Sequence, residues 1–192
     1  MKTHRILLIS CLAALLVLSV VPTAFGVCGG TIDVRVSTED DDAEECLDGS
    51  CTVGSVDLTS SDLELIYDDG SNNSNQEVGM RFQNISIPQG ATITNAYVEF
   101  TTDATPTNTA NLTFYAEDID DAPTFTTATN NITNRTKTLA SVDWDNVPVW
   151  DTVGETHQTP DLSLVIKEIV DRTGWTSGND LVIIVTGSGG SW

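Results

Sequence analysis

Positive charge is scarce in this chain. Eight Lys and Arg stand against 28 Asp and Glu, a formal charge of −20. A surface of that sign repels phosphate backbones and anionic headgroups, which argues against nucleic acid or an anionic membrane as a partner. Histidine is nearly as rare. Beyond residue 26 only His157 remains, in the polar segment Glu155-Thr156-His157-Gln158. The chain has no G-x-S-x-G, no HExxH and no glycine-rich nucleotide loop. Carboxylates are plentiful, yet nothing selects two that would flank a glycosidic bond. The chain is therefore not expected to be an enzyme. Three thiols and one histidine past residue 26 also argue against a structural zinc site.

Long apolar runs are missing too, with one exception at Ile6–Val21. Lys2 and Arg5 precede it, and Ala24-Phe25-Gly26 places small residues at the −3 and −1 positions of a cleavage site. Residues 1–26 are read as a signal peptide cut after Gly26. The run is short for a membrane span. Leu8-Ile9-Ser10-Cys11 has the look of a lipobox, but Cys11 sits inside the apolar run, which argues against lipidation. A secreted or cell-surface location follows, with no membrane span after cleavage. Removal of the leader takes two basic residues and no acid, leaving a formal charge of −22.

Export implies an oxidising compartment. Cys46 and Cys51 enclose an Asp-Gly turn, so their disulfide is a plausible hairpin staple. Cys28 is then odd and points to an intermolecular bridge or a free thiol. The pairings Cys28–Cys46 and Cys28–Cys51 stay open.

Residues 27–55 read as an acidic, cysteine-bearing N-terminal segment with a strand at Ile32–Val36. Regular patterning runs through residues 56–192. Val56–Leu58 and Leu63–Ile66 read as short strands, and Asp68–Asn75 as a polar loop. Val78, Met80 and Phe82 share one face, opposite Gly79, Arg81 and Gln83. After Pro88-Gln89-Gly90 the alternation resumes through Ile93, Ala96, Val98 and Phe100. Period-two alternation around a Pro/Gly turn predicts an antiparallel pair, Val78–Ser86 with Thr92–Thr101. Leu112, Phe114 and Ala116 mark another strand, and Thr138–Trp144 a further one. Thr159–Arg172 reads as the helix, with Thr159 as N-cap, Pro160 at its first position and Asp161 at the positive dipole end. Its stripe is Leu162, Val165, Ile166, Ile169 and Val170. Leu181–Val185 is a continuous apolar run, expected as a central strand buried on both faces. Many short strands with regular turns predict an all-β fold, an antiparallel, jelly-roll-like β-sandwich with one short crossover helix.

The phrases VGMRFQNISIPQGATITNAYVEF (78–100), SDLEL (61–65), TPDLSLVIKEIVDRTGW (159–175) and LVIIVTGSG (181–189) resemble extracellular β-sandwich domains of the DNRLRE type. That group includes alginate-type carbohydrate-binding modules and a bacterial and archaeal surface-protein subtype. The resemblance implies a surface module with structural rather than catalytic motifs. Such domains usually continue past the GSG with a closing strand, whereas this sequence stops at Trp192. Three explanations compete: a fragment, a closing strand supplied by Ile32–Val36, or one supplied by a neighbouring molecule. An unpaired edge is a template for another chain.

Acidic loops are the candidates for calcium, which takes several convergent carboxylate and carbonyl oxygens. Two clusters qualify by density: Glu117 to Asp121, with Asp118, Asp120 and Asp121 as candidate ligands, and Glu39 to Glu45, with Asp40, Asp42 and Glu44. A solvated acidic loop is the other reading of either run. Trp144 and Trp150 are candidates for sugar stacking, with Trp175 and Tyr97 behind them. The shortage of basic residues disfavours an anionic polysaccharide. N-glycosylation sequons stand at Asn72, Asn84, Asn111, Asn131 and Asn134. The leading expectation is a structural or adhesive extracellular module that associates with itself as a homo-oligomer or fibre. The alternatives are a carbohydrate-binding module for an extracellular glycan, and a spacer domain of a secreted enzyme.

Overall fold

Among the described residues two antiparallel sheets and one α-helix enclose the core. The structure, a computed structural model, describes residues 6–11 as backbone, and residues 29–70, 72–105 and 108–190 with their side chains. The strands in chain order are β1 (Ile6–Cys11), β2 (Gly30–Arg35), β3 (Asp42–Cys46), β4 (Val56–Asp57), β5 (Tyr67–Asp68), β6 (Ser74–Phe82), β7 (Ile93–Thr101), β8 (Ala110–Ala116), β9 (Val142–Val147), β10 (Thr156–Gln158) and β11 (Leu181–Gly189). The helix α1 is Ser163–Val170. The larger sheet has the order β4-β3-β6-β11-β8-β9, with β5 paired to the start of β6. The smaller has the order β10-β7-β1-β2. The described residues thus form an antiparallel β-sandwich with a single α-helix. Among the described residues no helix is long and apolar enough to cross a membrane.

Period-two alternation builds the main core. Val78, Met80 and Phe82 of β6 and Leu112, Phe114 and Ala116 of β8 meet Ile93, Ala96, Val98 and Phe100 of β7 there. The helical stripe Leu162, Val165, Ile166, Ile169 and Val170 is wholly buried in the same cluster. Trp175 is buried as well, and its indole N–H donates to the Ile87 carbonyl at 2.9 Å.

The opposite face of the larger sheet is also covered. Val182 and Ile184 pack there with Ala43, Val56, Ala122, Phe125 and Ile132, while Leu181, Ile183 and Val185 face the main core. That is why the run Leu181–Val185 is apolar throughout: β11 lies between β6 and β8 with both faces buried.

The alternating segments around the Pro-Gly turn do not pair with each other. β6 lies in the larger sheet and β7 in the smaller, so they face across the core. The turn itself forms, with the Ala91 N–H on the Pro88 carbonyl and Gly90 at φ 70°. The connection around it is too long for a hairpin, however. Ile85 and Ile87 within it are buried, and Ile85 exchanges backbone hydrogen bonds with Gly178 and Asn179. Alternation fixes which face a residue takes, not which strand lies alongside.

Three boundaries also shift. Leu63–Ile66 is irregular, and the extended pairing begins at Tyr67. β9 begins at Val142, because Thr138 instead bonds the end of β8 through both its backbone and its hydroxyl. The helix starts at Ser163, because Thr159 and Asp161 are engaged by β7.

Candidate functional site

The edge of β7 is where the architecture meets the sequence most pointedly. One side of this strand is closed by the chain leading into α1. Thr159 Oγ1 accepts the Val98 N–H at 3.1 Å, and the Thr159 N–H donates to the Val98 carbonyl at 3.0 Å. Asp161 Oδ1 accepts the Ala96 N–H and the Ser163 N–H, each at 2.9 Å, and the Leu162 N–H donates to the Ala96 carbonyl. Backbone groups alternate in direction along a strand. Asn95, Tyr97 and Glu99 therefore turn their amides to the other side, in register with Ser10, Leu8 and Ile6 of β1.

β1 in turn pairs along its whole length with β2, from Ile6↔Arg35 to Cys11↔Gly30. Among the described residues β2 ends the sheet, and its ladder runs through β1 alone. Ile32, Val34 and Val36 pack partly buried against the main core. β1 lies inside the apolar run that the sequence assigns to a leader. The site is therefore a strand-wide slot between β7 and β2, holding a six-residue apolar strand.

A second feature is an open acidic groove of about 970 Å³, lined among others by Glu44, Asp62, Glu64, Asp68, Ser74 and Gln76. The register Asp68↔Ser74 and Cys46↔Gln76 brings β5, β6 and β3 together there. Glu44 Oε1 accepts the Glu64 N–H at 2.7 Å. Burial holds the Glu64 carboxyl above its ordinary value, and the charges of Asp62 and Asp68 push the same way, against a hydrogen bond with Glu44. A carboxyl raised on folding binds its proton more tightly in the folded chain. Its effect on stability is favourable at low pH and fades as pH climbs from the ordinary value of 4.5 through the raised one. Glu64→Gln keeps the shape without the charge. Its melting temperature should exceed the parent's at pH 7, with the gap closing towards pH 4; a pH-independent gap would contradict this reading.

The carboxylates singled out by density are tied to separate partners, with Asp118 and Asp120 sharing one. Arg172 pairs with both Asp118 and Asp120, at 2.6 Å to the latter, and these carboxylates raise the guanidinium pKa. Asp121 Oδ1 accepts the Asp180 N–H at 2.8 Å. Asp40 and Glu44 line the groove, and Asp42 is buried on β3. Among the described residues no group of three or more His, Cys, Asp or Glu is placed to hold a metal ion.

Two acids of the first dense run, Asp41 and Glu45, serve the fold itself. Asp41 is fully buried. It accepts from Arg81 Nη1 at 2.6 Å, Gln83 Nε2 at 2.6 Å and Thr38 Oγ1 at 2.8 Å. Glu45, equally buried, accepts the N–H groups of Ile132 and Thr133 and the Thr133 hydroxyl. An arginine between the apolar residues Met80 and Phe82 of β6 was the available signal for the first of these, since a largely buried guanidinium needs a carboxylate.

The aromatic candidates are not a platform. Trp150 is 4% exposed and stacks on His157 with ring centroids 4.3 Å apart, so it offers no face to a sugar. Trp144 is half-buried against Phe114 and Trp150. Asn84, Asn111 and Asn134 are exposed, whereas Asn72 and Asn131 are half-buried. Cys46 and Cys51 form a disulfide with Cα atoms 6.2 Å apart. Cys28 and the cleavage position after Gly26 lie outside the described residues.

Searches against family models, curated proteins and solved structures find no match for this chain.

Proposed function

We propose that this chain is an exported structural module, of the kind its DNRLRE-like phrases suggest, that associates with copies of itself by strand donation. One observation carries the reading. The smaller sheet is completed by Ile6–Cys11, and those residues belong to the segment read as a leader. Loss of residues 1–26 leaves Asn95, Tyr97 and Glu99 with unpaired backbone groups on one side. A strand edge in that state takes a strand from elsewhere. Completion of a sheet by an added strand supplies main-chain hydrogen bonds and apolar burial together, which suits durable assembly. The buried Trp150 gives less support to glycan recognition.

The test is molar mass by light scattering, comparing the chain of residues 27–192 with the chain that keeps residues 1–26. Self-association predicts high-mass species for the first and a monomer for the second. Persistence of those species in reductant separates strand donation from bridging through Cys28. A folded monomer of residues 27–192 at every concentration would sink the proposal.

A further inference from the structure

We infer that the donated strand is β2 and that a second copy of this chain is its recipient, with the β1 position beside β7 as the acceptor. This rests on the assembly reading above and identifies the partner at that site.

Three observations converge on β2. Among the described residues its ladder is with β1 alone, so loss of β1 removes every ladder bond of the arm at the same moment that it vacates the slot. Its length matches: Gly30–Arg35 and Ile6–Cys11 are each six residues. Its pattern matches as well. Ile32, Val34 and Val36 are half-buried on the core side, while Thr31, Asp33 and Arg35 are exposed. A strand in the slot has one face on the core and the other in solvent, which demands that alternation.

Direction then separates a second copy from the same copy. The slot is occupied antiparallel to β7, and β2 runs antiparallel to β1. Within one chain β2 therefore runs parallel to β7, and the short link from Val36 to β3 prevents its reversal. If it slid sideways into its own slot it would pair parallel, which is the less stable ladder. The arm of another molecule has no such tether and can enter antiparallel. Each copy would then donate at one place and accept at another. Such a head-to-tail contact propagates into a filament unless the rotation closes a ring.

The test uses residues 27–192 with Ile32→Asp and Val34→Asp together. Both positions lie on the arm, outside the fully buried core, so the far-ultraviolet circular dichroism should match the parent. Placing two carboxylates on the face that must be buried should lower the mean polymer mass by about tenfold or more. The variant keeps an intact acceptor, so it should also cap the parent. Mixed in equal amounts, it should shorten parent polymers in proportion to its share.

The failures are distinct. A variant that assembles like the parent would overturn β2 as donor and leave self-association standing. A variant that is monomeric yet does not shorten parent polymers would also overturn the assignment, since its acceptor would not be taking the arm. A parent that is itself monomeric would overturn the assembly reading instead.

Discussion

Arg81→Met is expected to destabilise the chain by about 3–5 kcal/mol. Arg81 pairs with fully buried Asp41 and with Asp180, and its Nε donates to the Ala122 carbonyl at 2.8 Å. A methionine fills much of the same volume but leaves the Asp41 carboxylate in the interior without its cation. Gln83 and Thr38 still donate to it, yet neither carries charge. The damage comes from the stranded charge rather than from the loss of an attraction. Arg81→Met combined with Asp41→Leu should therefore recover most of the stability. Urea midpoints at constant slope measure both. A single-variant effect below about 1 kcal/mol, typical of exposed pairs, would contradict this account of the pair.

The second large effect is at Phe125, which closes the outer core. Its ring lies against Gly79, and the Arg135 guanidinium sits 4.2 Å from its centroid. Arg135 is itself fixed by Glu117 at 2.6 Å and by the carbonyls of Pro123, Thr124 and Asn131. Phe125→Ala should destabilise by about 3–5 kcal/mol through lost burial and the cavity left behind. Gly79 is the counterpart of that ring: a Cβ there would stand 2.4 Å from Phe125 Cζ. Gly79→Ala should therefore destabilise by about 1–3 kcal/mol, as overpacking does. In the Phe125→Ala background the same change should be close to neutral, because the clash is gone. The double-mutant cycle reads this as a coupling of about 1–3 kcal/mol, whereas strict additivity would refute the contact.

Much of the fold was legible because burial writes itself into sequence at a fixed period. The alternation of Val78, Met80 and Phe82, the stripe from Leu162 to Val170 and the unbroken run Leu181–Val185 each identified an element and its buried face. The Cys46–Cys51 bridge was legible from its close spacing around a turn. Strand partners were harder, since a half-buried strand looks the same whether its neighbour is the next strand or one far along the chain. Ile85 and Ile87, apolar residues inside a supposed turn region, were the sign that β6 and β7 are joined by a segment crossing the core.

The polar features were less readable still. Asp40 to Glu45 is a run of acids along the chain, but the local backbone sends neighbours in opposite directions. Asp41 goes to Arg81, Glu44 to the groove and Glu45 to the Ile132 turn. Density in one dimension is not convergence in three. Thr159 and Asp161 fit the helix-start pattern for a related reason: side chains that cap helical N–H groups also serve the open N–H groups of a strand edge, and here β7 receives both. The strand β1 was not visible in the sequence, because an apolar run suits a leader and a buried strand alike.

Hydrogen exchange at β7 tests the central claim most directly. The amides of Asn95, Tyr97 and Glu99 should exchange slowly in the chain that keeps residues 1–26, where β1 covers them. They should exchange fast in a dilute monomer of residues 27–192, and slowly again once that chain assembles. The amides of Ala96 and Val98, held by Asp161 and Thr159, should stay protected throughout. Equal protection of Asn95, Tyr97 and Glu99 in the dilute monomer would mean that the slot closes without a donated strand, and would contradict the account.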